Sequence, residues 1–243
     1  MTTIVETKNV SKRFGGLQAN RDISVKVEEH CIYGLIGPNG AGKTTFLNCI
    51  LGVHTPEEGS VWFEGNDITG FKPFKVAQLG IGRTFQIVKS MPQFTAAENV
   101  MIGGIFANRQ NDHEARRNAL DFLSYVNFPM PPETLAANLN TIQLKKLEMA
   151  RALTAKCKVL VLDEVAAGLT PSELNDITKL ILKIRDELGV TIIIVEHLMK
   201  LIMSVCDRIA VLYFGELLAE GEPKEIMRNK EVVSAYLGEE YIS

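Results

Sequence analysis

Apolar residues along this chain fall into two alternating rhythms. Short β-rich runs bounded by Gly, Asn or charged residues predict strands at Thr3–Lys8, Ile23–Val27, Cys31–Ile36 and Gly59–Glu64. A helix is predicted to start at Gly42–Lys43 and to end near Gly52, whose missing Cβ suits a helix C-terminus. Thr95 to Ala155 reads as mostly helical, broken at Pro129-Met130-Pro131-Pro132. Strand and helix then alternate. Lys158–Leu162, Val190–Val195 and Arg208–Tyr213 are apolar strands, and Pro171–Leu188 is a helix with an apolar stripe at Leu174, Ile177, Leu180, Ile181, Ile184 and Leu188. Continuous apolar strands alternating with amphipathic helices imply an α/β fold, a mostly parallel sheet with helices on its faces. An antiparallel β region is expected at the N-terminus. The middle segment interrupts the alternation, so residues 87–156 are expected to form a helical subdomain inserted into one domain spanning 1–243.

Composition narrows the partners. Of 243 residues, 46% are hydrophobic and 23% charged, which is ordinary globular usage, and the net charge of -3 argues against nonspecific nucleic-acid binding. The 4 cysteines, Cys31, Cys49, Cys157 and Cys206, show no C-x-x-C pair or metal-like spacing, so reduced, buried thiols are expected. No apolar stretch approaches the roughly 20 residues that cross a bilayer, and no signal-peptide core follows Met1. The expectation is a cytoplasmic protein that reaches a membrane only through another chain.

Chemistry enters at Gly37-Pro38-Asn39-Gly40-Ala41-Gly42-Lys43-Thr44-Thr45, which satisfies G-x-x-x-x-G-K-[ST] between a predicted strand and a predicted helix. Glycines let successive backbone N–H groups curl around phosphates, and the helix N-terminus adds its positive dipole end. Lys43 is expected at the β- and γ-phosphates of ATP, with the Thr44 hydroxyl on Mg2+. A second constellation closes the apolar run Val159-Leu160-Val161-Leu162 with Asp163-Glu164. In an open α/β sheet, ligands sit beyond the carboxyl ends of strands. Asp163 is therefore a candidate Mg2+ ligand and Glu164 a candidate for polarising the attacking water.

The long helical segment between Lys43 and Asp163, with these motifs, resembles the ATP-binding cassette (ABC) ATPases over essentially the whole chain. The resemblance implies a P-loop NTPase core and carries over further roles. Gln86, in Arg83-Thr84-Phe85-Gln86, looks like the family's glutamine that contacts metal and water. His197, in Val195-Glu196-His197, matches the switch histidine at the γ-phosphate. Phe14, in Lys12-Arg13-Phe14-Gly15-Gly16, matches the aromatic that stacks on adenine. Ala167-Gly168-Leu169-Thr170 is similar to the loop that crosses the dimer interface, with Thr170 replacing the usual Asp or Asn. Gly82-Arg83-Thr84-Phe85-Gln86, Ala97-Glu98-Asn99-Val100, Glu196-His197-Leu198-Met199-Lys200 and Ala235-Tyr236-Leu237-Gly238 look like the ATPase subunits of branched-chain amino acid importers. The urea-type importers look similar. The implied partners are integral-membrane permeases, a second ATPase subunit and, indirectly, a solute-binding protein. The implied place is the inner face of the cell membrane, with about Ile87–Val100 bordering the groove that receives a permease helix.

One motif departs from the family. Where Leu-Ser-Gly-Gly-Gln is usual, the chain reads Leu139-Asn140-Thr141-Ile142-Gln143, and Val165 replaces the usual Pro after the acidic pair. That signature contacts ATP held by the other subunit, so Asn140 and Gln143 are the candidate contacts that remain. A β-branched Ile142 cannot take glycine's positive-φ conformations cheaply, and its side chain is expected to crowd the phosphate. The expectation is a heterodimer with one competent and one weakened site, a homodimer being the alternative. A lipopolysaccharide-export ATPase and a non-transport ABC ATPase stay open as alternatives to the importer reading.

Overall fold

The computed structural model describes residues 2–84 and 90–237. In chain order its elements are β1 (Thr3–Phe14), β2 (Leu17–Glu28), β3 (Ile32–Ile36), α1 (Lys43–Ile50), β4 (Glu58–Phe63), β5 (Asn66–Asp67), α2 (Pro73–Leu79), β6 (Ile81–Arg83), α3 (Ala96–Asn108), α4 (Asp112–Tyr125), α5 (Thr141–Thr154), β7 (Val159–Asp163), α6 (Pro171–Leu188), β8 (Thr191–Val195), α7 (Met199–Val205), β9 (Arg208–Tyr213), β10 (Glu216–Gly221), α8 (Pro223–Arg228) and α9 (Lys230–Leu237).

Two sheets form. The first is antiparallel, in the order β2-β1-β4-β5, and the second runs β10-β9-β3-β8-β7-β6. In the second sheet every pairing is parallel except that of β9 with β10. Because side chains alternate along a strand, the strands of this second sheet serve two cores at once. Ile32, Ile36, Leu160, Leu162, Ile192 and Ile194 face one core, shared with α5, α6 and α7. Tyr33, Leu35, Val159, Val161, Ile193 and Val195 face the other, shared with α1 and the antiparallel sheet. This double burial explains why β3, β7 and β8 are continuous apolar runs.

Between β6 and β7 the chain leaves the sheet for α3, α4 and α5, whose buried Ala97, Val100, Ala119, Leu123, Leu147 and Ala150 extend the first core. Each of these helices opens on a capping box. Thr95 pairs with Glu98, Asn111 with Glu114 and Asn140 with Gln143. The sequence reading overlooked β5, α2, β6, α7, β10, α8 and α9, and it drew β1 and β2 shorter than the hairpin they build.

Candidate functional site

The phosphate loop leaves the C-terminal end of β3, the fully buried strand between β8 and β9. Gly42 caps α1 at φ 94°, a left-handed conformation, and a Cβ there would run into the Ala19 carbonyl and the Asn20 amide. The Asn20 amide donates to the Gly42 carbonyl at 3.1 Å, so β2 fixes the loop from one side. The turn between β9 and β10 fixes it from another, with the Gly215 N–H on the Ala41 carbonyl at 3.1 Å. Gly37 sits at φ 150° against the Leu212 carbonyl, where no side chain fits.

Lys43 is buried. Its Nζ donates to the carbonyls of Gly37 at 2.7 Å and Pro38 at 2.9 Å, folded back along the loop. Burial lowers its pKa, and the nearby charges of Glu164 and Asp163 pull it back up. The ammonium is thus held where an anion would be strongly attracted. Thr44 is exposed, one residue into the helix.

The parallel register of β7 with β8 sets Asp163 beside Val195, so the residues just past both strands meet. Glu164 Oε1 lies 2.9 Å from His197 Nε2, across 33 positions of sequence. Glu164 takes φ 50°, unusual for a side chain with a Cβ, and its N–H is tied to the Val195 carbonyl at 2.9 Å. Such strained backbone costs on the order of 1–3 kcal/mol and clusters at functional sites. Asp163 is only 4% exposed, and the Arg83 guanidinium donates to its Oδ2 at 2.7 Å while also donating to Asn48 of α1 at 2.8 Å. Arg83 thereby links β6, β7 and the phosphate-loop helix.

A cleft of about 390 Å³ gathers Asn39 to Thr45, Glu164, His197, Phe14, Gln18, Ala19 and Phe214. The structure therefore brings Phe14, most of the phosphate loop, Glu164 and His197 to one opening. Phe14 sits at the tip of the β1–β2 hairpin, 44% exposed, with its ring edge-on to His54 at 5.1 Å. Gln86 lies outside the described residues, as does Phe85.

Asn140 and Gln143 do not reach this cleft. They open α5 and bond each other, Gln143 N to Asn140 Oδ1 at 3.0 Å and Asn140 N to Gln143 Oε1 at 3.0 Å. Here the sequence expectation is corrected. Thr141 and Ile142 are the first helical residues and neither has positive φ, so glycine's backbone freedom is not required at either position. Ile142 turns inward and packs on the first core, which leaves Thr141 as the exposed side chain of the pair.

Sequence reasoning missed Glu196. It is 3% exposed, its Oε1 accepts from the Ala166 N–H at 2.6 Å, and burial raises its pKa despite the pull of Lys145. Lys145 in α5 is itself buried and donates to the Glu164 carbonyl at 3.2 Å. Only the strand register exposes this cluster, since a Glu after an apolar strand reads as a solvated end.

Asp163 and Thr44 are the described oxygen donors that fit Mg2+, a hard cation that takes few protein ligands when phosphates supply the rest. No group of three or more His, Cys, Asp or Glu residues able to hold a metal occurs among the described residues, so phosphate oxygens would have to complete such a site.

Comparison with known proteins matches residues 20–167 to the ABC transporter family model. Residues 216–242 match the model called branched-chain amino acid ATP-binding cassette transporter. The chain is 40% identical to the high-affinity branched-chain amino acid transport ATP-binding protein BraF of Pseudomonas aeruginosa, over 97% of this chain and 98% of that one. It is 36% identical to the LivG protein of the same description from Salmonella typhimurium, with the same coverage. Among solved structures, a nucleotide-free ATP-binding cassette of an ABC transporter superposes with a TM-score of 0.88 at 30% identity, covering 98% of this chain and 100% of the other. The ADP conformation of another such cassette superposes with a TM-score of 0.89 at 31% identity, with the same coverage.

Proposed function

Because the chain belongs to the ATP-binding cassette transporter family, we propose that its ATP hydrolysis powers uptake of branched-chain amino acids or a related small polar solute. The observation that carries the catalytic half of this reading is the meeting of Glu164 and His197, 2.9 Å apart, at the phosphate-loop cleft. The full-length likeness to branched-chain amino acid transport proteins, and the matching C-terminal segment, favour this solute class over lipopolysaccharide export or a non-transport role.

The roles combine the positions of the described residues with the family resemblance. The backbone N–H groups of Gly40 to Thr44 and the Lys43 ammonium hold the β- and γ-phosphates. Thr44 and Asp163, with Gln86 on the family resemblance, would hold Mg2+, whose charge, when bound, would screen the phosphate oxygens. Glu164 takes a proton from the attacking water, and His197 fixes the Glu164 carboxylate and contacts the γ-phosphate. Phe14 receives the base.

The helices α3, α4 and α5 form the subdomain that meets the permease subunits, which hold this chain at the inner face of the membrane. Asn140 and Gln143 face ATP bound on a second cassette. Thr141 projects where the family usually carries glycine, so a pairing with a different ATPase subunit gives two unequal sites.

The test is transport by vesicles carrying this chain, its permeases and its binding protein, measured with labelled leucine and with urea. Leucine uptake that needs ATP and is lost in Lys43→Ala supports the reading, and no leucine uptake in an assembled, ATP-hydrolysing complex refutes the solute class. In the same vesicles, Glu164→Gln here and the matching change in the second ATPase subunit should cost different amounts of turnover. Equal losses refute the unequal sites.

A further inference from the structure

The turn between β9 and β10 carries the wrong residue for its shape. Tyr213 and Glu216 form the last pair of the hairpin, leaving a two-residue loop of Phe214 and Gly215 with φ values of 45° and 82°. Positive φ at both positions is the type I′ turn, which strongly prefers Asn-Gly. A bulky aromatic in the left-handed region is a backbone outlier. Burial does not explain it either, since Phe214 is 80% exposed, the highest value for a large apolar side chain among the described residues. Sequences that break a local rule without a packing gain tend to do so at functional positions.

The turn is held firmly all the same. The Gly215 N–H bonds to Ala41 at 3.1 Å, the Arg21 N–H bonds to Gly215 at 2.7 Å, and Arg21 pairs with Glu216 at 2.8 Å. The Tyr213 ring packs edge-on to the Phe214 ring at 4.5 Å. A strained, exposed aromatic is thereby fixed to the phosphate loop and lines the same cleft as Phe14.

We propose that Phe214 is a second contact for the purine base of the bound nucleotide, stacking on it in addition to Phe14. This rests on the nucleotide occupying the phosphate-loop cleft as argued above. An exposed ring at a cleft mouth has little other use for its shape, whereas a purine offers a flat π-face, and stacking on an aromatic corresponds to about 5- to 150-fold in affinity.

The test is calorimetric titration of the purified chain with ADP and with inorganic tripolyphosphate, which has no base, alongside thermal denaturation. Phe214→Asn should weaken ADP about five- to tenfold, the low end of that range, leave tripolyphosphate unchanged and not lower the Tm, because Asn suits the turn. Phe214→Trp should keep ADP affinity. The proposal is overturned if Phe214→Asn binds ADP like the parent while Lys43→Ala loses it. It is equally overturned if Phe214→Asn weakens ADP and tripolyphosphate alike, since the turn would then act through Ala41 on the phosphates. If Lys43→Ala itself binds ADP normally, the cleft assignment fails instead.

Discussion

Replacing Glu164 by Gln keeps the shape, the left-handed backbone and a hydrogen bond to His197, and removes only the capacity to take a proton. A general base contributes about 10²–10⁴ in rate, so Glu164→Gln should lower kcat by roughly 10³, or about 4 kcal/mol of barrier. His197 touches the same carboxylate at 2.9 Å, and His197→Ala should cost about 10² by misplacing it. Independent effects would multiply to about 10⁵, but contacting groups that act as a unit do not add. The double variant should therefore stay near the Glu164→Gln level of about 10³. Phosphate release at saturating ATP, with single-turnover measurements to isolate chemistry from product release, gives all four corners of the cycle. ATP affinity should change by less than about threefold in Glu164→Gln, because the lost interaction belongs to the transition state. A fully multiplicative double variant, or a Glu164→Gln protein within about threefold of the parent kcat, would refute the assignment of Glu164 as base positioned by His197.

Two further outcomes follow from the charges around the site. Removing the Arg83 guanidinium by Arg83→Met leaves the Asp163 carboxylate, 5% exposed on its side chain, without its 2.7 Å partner, and urea denaturation should show a loss of about 3–5 kcal/mol. A loss below about 1 kcal/mol would mean the pair is solvated like a surface bridge. Burial raises the Glu196 pKa above its ordinary 4.5, so the folded protein binds more protons than the unfolded chain just above that pH. Stability then falls as pH rises through the raised folded value, and the cost is absent below the unfolded value. Glu196→Gln keeps an acceptor for Ala166 and should flatten this slope, read as Tm against pH from 4 to 8 (about the carboxylate titration range); an unchanged slope would place the pH dependence elsewhere.

Legibility differed by element, for physical reasons. The helix α6 was readable to both ends because Thr170 and Glu173 close a capping box, Pro171 takes the first turn and Gly189 ends it in a left-handed conformation. The strands β3, β7 and β8 were readable because burial on both faces leaves no polar interruption. By contrast, β6 spans only Ile81–Arg83 and β10 is an edge strand of mixed polarity, so neither offers a periodic signal. At the site, the phosphate loop and the Asp163-Glu164 pair stood out as motifs, and His197 was found only through the family resemblance. Their joining was not legible, since it depends on β7 and β8 lying side by side in register. The roles of Arg83, Glu196 and Phe214 rest on partners far along the chain, which no local pattern encodes. The error at Ile142 had a different source, a backbone requirement inferred from glycine when the residues in fact begin a helix.

The strand that feeds the phosphate loop has both neighbours, β8 and β9, in the last quarter of the chain. A ribosome adding about 5–20 residues per second needs roughly 8–30 s between finishing β3 and starting β8. Until β8 and β9 are made, Ile32–Ile36 has two bare edges and lacks both of its sheet neighbours. An unpaired apolar strand of this kind invites pairing with other chains. A nascent chain halted before residue 191 should therefore hold every residue of its nucleotide loop and still be unable to build it. Chains terminated before β8 should associate through the bare edges of β3 rather than behave as weakened nucleotide binders, which sedimentation of a fragment ending before residue 191 would check.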